Sequence, residues 1–269
     1  MRRTIAGHGR SGCNPMSLAF QTDGARAPVA APALAAGEVH AWIIDLELAA
    51  GTLEDTELLT SLWERERAAR LRRPLDRRRF LRGRAALRRV LSTYAGRPPA
   101  GLVLAADDQG RPFAPDLGHF DFNSSRSGNY ATIAIARGGR VGIDIEAVEP
   151  GFPCRQLARS FFSAAENEVL DRLPPDRLAA GFFQAWVSKE ACVKAWGMGL
   201  SLPLAGFDVE ADPARPPALL HHRQSEAPLW LAALAGPVGH AVALAADRPI
   251  GPVRIMQLGY HDLAAGGRA

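Results

Sequence analysis

The chain has 269 residues, 47% hydrophobic and 22% charged, with a formal net charge of +4: enough to bury one large core or two modest ones, and a balance that favours an acidic or polyanionic partner without requiring nucleic acid. No apolar run approaches the roughly 20 residues of a membrane span, and the stretch from Arg2 to Cys13 lacks the apolar segment of a signal peptide. Three cysteines, Cys13, Cys154 and Cys192, are odd in number and far apart, so no disulfide framework is expected and a reducing cytoplasm fits best.

Residues 1–37 are Ala-, Pro-, Gly-, Ser- and Arg-rich and read as a disordered leader. The fold is expected to begin near Glu38, with Val39, Trp42, Ile43, Ile44, Leu46 and Leu48 marking a buried strand. Thr56 and Glu57 open an apolar-periodic segment that predicts a helix to about Arg72, stopped by Pro74. Asp76 is placed to cap a second helix, whose apolar residues Phe80, Leu81, Ala85, Leu87, Val90 and Leu91 leave a basic face of Arg77, Arg78, Arg82, Arg84, Arg88 and Arg89. A strand is expected around Leu102 to Ala105, and two more, Tyr130 to Ala136 and Val141 to Ile145, joined at Gly138 and Gly139.

Ser163 and Glu166 have capping-box spacing and open a helix to about Arg172. A longer helix runs from Asp176 to Trp196, closed by Gly197 and Gly199. Phe207 to Glu210, Leu229 to Ala233 and His240 to Leu244 read as strands of a second sheet, and His221-His222 as loop residues. Strand, helices and strands thus recur on either side of about Arg140. The expected architecture is α+β, with one half over residues 38–140, a second over 141–250, a tail over 251–269, and a ligand between the halves.

Chemistry concentrates in two segments. In Gly142-Ile143-Asp144-Ile145-Glu146 the carboxylates alternate with apolar residues and share one face of a strand. Such a face is either solvated or gathered round a cation, and hard oxygen ligands at this spacing suit Mg²⁺. Glu190 and Lys194 are four apart on one helical face, with Trp186 a turn earlier; the pair is either a surface ion pair or part of a site. Lys189 and Lys194 are the only lysines among many arginines, which reflects either composition bias or a need for an amine that can give up its proton.

Taken in order, Val141-Gly142-Ile143-Asp144-Ile145-Glu146, Phe161-Phe162-Ser163, Trp186-Val187-Ser188-Lys189-Glu190-Ala191-Cys192-Val193-Lys194 and Gly199-Leu200-Ser201-Leu202-Pro203-Leu204 resemble the signature of the surfactin-type 4′-phosphopantetheinyl transferases. Gly110-Arg111-Pro112, the segment from Phe122 to Gly128 and the helix with Arg79, Gly83 and Leu87 extend the likeness over about Glu38 to Arg248. The resemblance implies a monomer of two pseudo-twofold halves with coenzyme A in the cleft, whose 4′-phosphopantetheine passes to a serine of an apo acyl or peptidyl carrier protein. It implies that Asp144, Glu146 and Glu190 hold Mg²⁺, that Glu190 is the base for the serine, that Lys194 protonates or neutralises the departing 3′,5′-ADP, and that Lys189 supports the pyrophosphate. By the same likeness Arg67, Arg79, Arg111, Ser125 and Arg126 face the nucleotide, Arg126 standing where the family usually has histidine.

Two other classes compete. The arginines between Arg65 and Arg89 suit nucleic acid, but Glu64, Glu66 and Asp76 interrupt them and no aromatic platform accompanies them. A non-catalytic coenzyme A-binding relative is opposed by the presence of all four of Asp144, Glu146, Glu190 and Lys194, while a metal phosphohydrolase on the same carboxylates would need an ordered water and no carrier protein, and would release phosphopantetheine without an acceptor.

Overall fold

The computed structural model describes residues 20–23, 33–47, 53–222 and 228–259; Cys13, most of the expected leader, Leu48 and residues 260–269 lie outside the described residues. The described residues open with strands β1 (Phe20–Asp23) and β2 (Val39–Asp45), followed by helices α1 (Leu53–Leu58), α2 (Leu62–Ala69) and α3 (Pro74–Ala95). A short hairpin, β3 (Ala105–Ala106) with β4 (Pro112–Phe113), leads into the long strands β5 (Phe120–Ser127), β6 (Tyr130–Arg137) and β7 (Val141–Ala147). Helices α4 (Cys154–Phe161), α5 (Ala164–Arg172) and α6 (Pro175–Trp196) precede β8 (Phe207–Val209), β9 (Leu219–His222), β10 (Trp230–Ala233), β11 (His240–Ala246) and β12 (Val253–Gly259).

Strand β2 shows how the layers form. Alternate residues point to opposite faces: Trp42, Ile44 and Leu46 meet Ala85, Leu87 and Leu91 of α3 in one core cluster. Val39, Ala41 and Ile43 meet Ile143, Ile145, Val242 and Leu244 in another. A five-stranded sheet, ordered β1-β12-β2-β6-β5, therefore has α3 on one face and a second sheet, β10-β11-β7, on the other. On the far face of that second sheet, α6 packs Phe182, Ala185, Ala191 and Ala195 with Ala243 and Ala245. The result is an α+β arrangement in which β7 and α6, the two segments that carry the chemistry, lie directly against each other.

Several expectations change. The helix from Thr56 to Arg72 is two helices, because Ser61 caps α2: its side chain accepts from Glu64 N–H while Glu64 accepts from Ser61 N–H at 2.7 Å. Pro74 stops nothing; it is the first residue of α3, where its missing N–H has no helical partner to lose. Strands β6 and β7 do not form a hairpin: β6 pairs with β2 and β5, and β7 with β11. Strand β8 pairs with β9 instead of joining β10 and β11, and His221-His222 lie in that strand.

The expected strand from Leu102 is reduced to β3. Within the stretch assigned to a tail, β12 runs parallel to β2 and completes the first sheet, with β1 from the expected leader beyond it. Leu34, also assigned to the leader, is buried in the first core.

Much of the basic face of α3 is neutralised within the fold, with Arg82 and Arg88 buried. Arg84 Nε and Arg88 Nε donate to the two oxygens of Glu64, at 2.5 and 3.0 Å, and Arg88 also donates to Leu102 O. Arg82 reaches Leu46 O, while Arg78 and Arg79 pair with Glu47. Burial alone would raise the Glu64 carboxyl, but Arg84, the Ser61 N–H and Arg88 together hold it below the ordinary carboxylate value. A carboxyl lowered on folding adds stability that is present above its ordinary pKa and lost as the pH falls through the folded one. Glu64→Ala, which strands two guanidinium groups beside a residue only 1% exposed, is expected to destabilise the protein by about 3 kcal/mol in denaturant titrations at neutral pH. The deficit should shrink in acid.

Candidate functional site

Strand β7 is an edge strand whose one backbone neighbour is β11, so its other row of N–H groups needs partners from elsewhere. Side chains of β5 supply them. Asp121 accepts from Val141 N–H at 2.8 Å, Asn123 from Ile143 N–H at 3.1 Å, and Ser127 from Ala147 N–H at 3.0 Å. In the same row Ser125 Oγ donates to Asp144 Oδ1 at 2.6 Å, and Ser127 Oγ to Glu146 Oε2 at 2.8 Å. The two sheets are thereby locked in register along the strand that carries Asp144 and Glu146.

Helix α6 crosses the opposite side of β7 unusually closely. A Cβ built on Gly142 would lie 2.0 Å from Ala191 O and 2.6 Å from Ala195 N. This contact delivers Lys194 to Asp144: Nζ donates to Asp144 Oδ1 at 2.6 Å, Ser125 Oγ at 3.0 Å and Ile143 O at 3.2 Å. Asp144 is buried, and among the described residues its Oδ2 is without a hydrogen-bond partner. Burial raises the Glu190 carboxyl above its ordinary value, Asp144 adds to the rise and Lys194 opposes it. Burial likewise raises Glu146, with Ser127 opposing and the charges of Asp144 and Glu190 reinforcing. Three carboxylates thus share one electrostatic neighbourhood, although among the described residues no three His, Cys, Asp or Glu side chains form a ready-made metal cage.

A cavity of about 590 Å³ opens beside this cluster. Glu190, Lys194 and Asn123 form its polar wall, and Phe161, Trp186 and Leu202 contribute apolar surface. Ser124 is shared with a smaller cavity of about 160 Å³, lined also by Phe80, Gly83, Ser125 and Arg126. The Arg126 guanidinium sits 5.5 Å from the centre of the Phe80 ring. The smaller cavity is thus lined by a cation and an aromatic ring, and the larger by Glu190, Lys194 and apolar side chains.

Sequence reasoning brought Asp144, Glu146, Glu190 and Lys194 to this place; it assigned Ser125 to the nucleotide beside Arg126, and Ser125 lines the smaller cavity with Arg126 while also bonding Asp144 and Lys194. It misplaced Lys189, which is 0% exposed and donates to Leu204 O at 2.7 Å and Phe207 O at 2.5 Å while pairing with Glu166 at 2.7 Å. Its three protons are all engaged away from the cavity. Arg111 lines the large cavity, but its guanidinium binds Asp121 at 2.6 Å, Val141 O at 2.9 Å and Lys194 O, bridging β5, β7 and α6. Arg79 is held by Glu47 and Asn129. Arg67 is exposed and lies over Trp63, lining neither cavity.

The reading left out Asp121, and gave Asn123 and Ser127 no role beyond their place in the quoted motif, and Glu166 none beyond its capping box. For the first three the signal was present: polar residues at every second position from 121 to 127.

The sequence model of the 4′-phosphopantetheinyl transferase superfamily matches residues 140–245, which span β7, α6 and β11. Over 200 residues the chain is 34% identical to the 4′-phosphopantetheinyl transferase HetI of Nostoc sp., covering 73% of this chain and 82% of that protein. It is 33% identical over 172 residues to a 4′-phosphopantetheinyl transferase of Bacillus subtilis, covering 64% and 75% respectively. A further relative, the 4′-phosphopantetheinyl transferase Sfp of Bacillus subtilis, is 29% identical over 200 residues and covered to 88%.

Gly142→Ala is expected to lower stability by about 3 kcal/mol, because backbone atoms of α6 cannot yield to the added methyl. Gly101→Ala, whose Cβ would meet nothing within 4 Å, should stay within about 0.5 kcal/mol of wild type. Lys189→Met, which leaves Glu166 buried without its cation, should destabilise by about 3 kcal/mol in the same denaturant titration.

Proposed function

Because the chain belongs to the 4′-phosphopantetheinyl transferase family, we propose that it moves the 4′-phosphopantetheine arm of coenzyme A onto a serine of an apo acyl or peptidyl carrier protein. The observation that carries this reading is that Glu190 and Lys194 line the large cavity while Lys194 is bonded to the buried Asp144, whose charge also reaches Glu190. The overall arrangement we infer is two α+β halves, residues 38–140 and 141–250, related by a pseudo-twofold with the substrate between them. The adjacent edges of β5 and β7, one from each half, support it.

In the reaction the carrier serine oxygen bonds to the phosphorus next to pantetheine, the pyrophosphate P–O bond breaks, and 3′,5′-ADP leaves. Glu190 accepts the serine proton. Its half-buried carboxyl, raised by burial and by Asp144, holds a proton more readily than a solvated glutamate. Lys194, at the cavity wall, places an ammonium against the phosphate and neutralises the leaving group. Arg126 is charged at every relevant pH and anchors the 3′-phosphate end beside Phe80. The apolar wall of Phe161, Trp186 and Leu202 takes the pantetheine arm and keeps bulk water from the phosphorus.

The residues fit Mg²⁺. Among the described residues Asp144 Oδ2 is a buried acceptor without a partner, and Asp144 and Glu190 stand near enough to Glu146 to raise its affinity for protons. Asp144, Glu146 and Glu190 would hold the ion, and it would supply charge neutralisation on the pyrophosphate.

Intact mass of apo carrier proteins, incubated with this protein, coenzyme A and Mg²⁺, tests the assignment. A gain of about 340 Da, the mass of the transferred group, is expected with wild type. Glu190→Ala should slow that gain by a factor on the order of 100 or more. No gain on any of several carriers, with coenzyme A still bound, would overturn the transferase reading.

A further inference from the structure

Lys194 has more to do than face a phosphate. Its ammonium finds three acceptors, Asp144 Oδ1 at 2.6 Å, Ser125 Oγ at 3.0 Å and Ile143 O at 3.2 Å, one for each proton. Oδ1 takes the hydrogen bonds of both Lys194 and Ser125, while Oδ2, buried on the same carboxylate, has no partner among the described residues. The carboxylate is therefore satisfied on one oxygen and open on the other.

Three acidic groups close enough to feel one another would repel without a cation among them. The Lys194 side chain is 25% exposed and lines the large cavity, so it has space to leave; Lys189, at 0% exposed, has none.

From this geometry we propose that Lys194 is the resident counter-ion of the carboxylate cluster, holding Asp144 until an arriving divalent cation takes that carboxylate and releases the ammonium toward the substrate phosphate. The inference rests on the reading of Asp144, Glu146 and Glu190 as ligands of Mg²⁺. Two positive charges compete for one carboxylate, so the lysine weakens binding of the ion alone and strengthens binding of the phosphate that follows it. Ser125 sets the geometry: its hydroxyl accepts from Lys194 and donates to the same Oδ1, so the ammonium and the carboxylate are held by a common third group. The lysine thereby makes the ion and coenzyme A bind with mutual support, since each is accommodated better once the ammonium has turned.

Calorimetric titration of Mg²⁺ alone into wild type and Lys194→Met, followed by coenzyme A, separates the possibilities. The variant is expected to bind Mg²⁺ at least about tenfold more tightly and coenzyme A more weakly than wild type, opposite shifts from one substitution. Equal or weaker Mg²⁺ binding in a folded variant overturns the counter-ion role while leaving the ion site itself intact. Absence of Mg²⁺ binding to either protein, with or without coenzyme A, overturns both.

The wild-type protein offers an independent test, because Lys189 and Lys194 are its only lysines and Lys189 is buried. Peptide mapping after brief acylation with an amine-reactive ester reads the exposure of Lys194 directly. Mg²⁺ should speed acylation of Lys194 several-fold, and an unchanged or slower rate overturns the proposal even if Lys194→Met fails to fold.

Discussion

The row of side chains by which β5 satisfies the outer edge of β7 is the constraint on which the site depends. Strand β7 has backbone bonds to β11 on one side, and burial of its other N–H groups without partners would destabilise the fold by about 1–3 kcal/mol each. Backbone pairing with β5 would satisfy them only by merging the two sheets and flattening the packing between β2 and β7. Short acceptors at alternate positions, Asp121, Asn123 and Ser127, solve the problem with the sheets kept distinct. A shift of β5 by one residue would turn all of them away. The same register sets Ser125 opposite Asp144.

Helix α6 is fixed to this frame from its other end and both flanks. Gly142 lets the helix backbone come within reach of β7. Its last carbonyls, Lys194 O and Trp196 O, accept from Arg111 and Arg140, cations placed where the helix dipole is negative. Glu166 draws α5 and β8 onto α6 through Lys189 while also accepting from Val209 N–H. The position of the Lys194 ammonium is therefore the result of at least three contacts outside the site. Arg111 binds β5, β7 and α6 at once, so it acts on the site by placing other residues.

Much of this was legible. The alternation in β7, the four-residue spacing of Glu190 and Lys194, and the cap at Ser163 translate directly into face and register. Strand β5 was harder, because Asp, Asn and Ser are poor strand formers by propensity and are there for the bonds they make across to β7. The close succession of β6 and β7 around Gly138 and Gly139 looks like a hairpin, and only the partner strands, far away in sequence, show that the chain changes sheets there. Strand β12 was missed for the same reason: parallel pairing with β2 brings together residues more than two hundred positions apart. The arginines of α3 suggested a basic surface because sequence displays charge and not its neutralisation; Glu64, read as an interruption of that surface, is its internal partner.

The two lysines show what spacing can and cannot carry. Five residues on an α-helix turn through about 140° beyond a full revolution, so Lys189 and Lys194 never shared a face. Both bind a carboxylate at close range, Glu166 at 2.7 Å and Asp144 at 2.6 Å. What differs is the surrounding space. Lys189 is enclosed by Phe162, Phe207 and two carbonyls, an environment that gives its charge one arrangement and makes it a fastener between α5, α6 and β8. Lys194 has a cavity on one side and a half-satisfied carboxylate on the other. The same chemical pair is rigid where packing closes every alternative and exchangeable where a cavity leaves one open, and only the second can respond to a ligand.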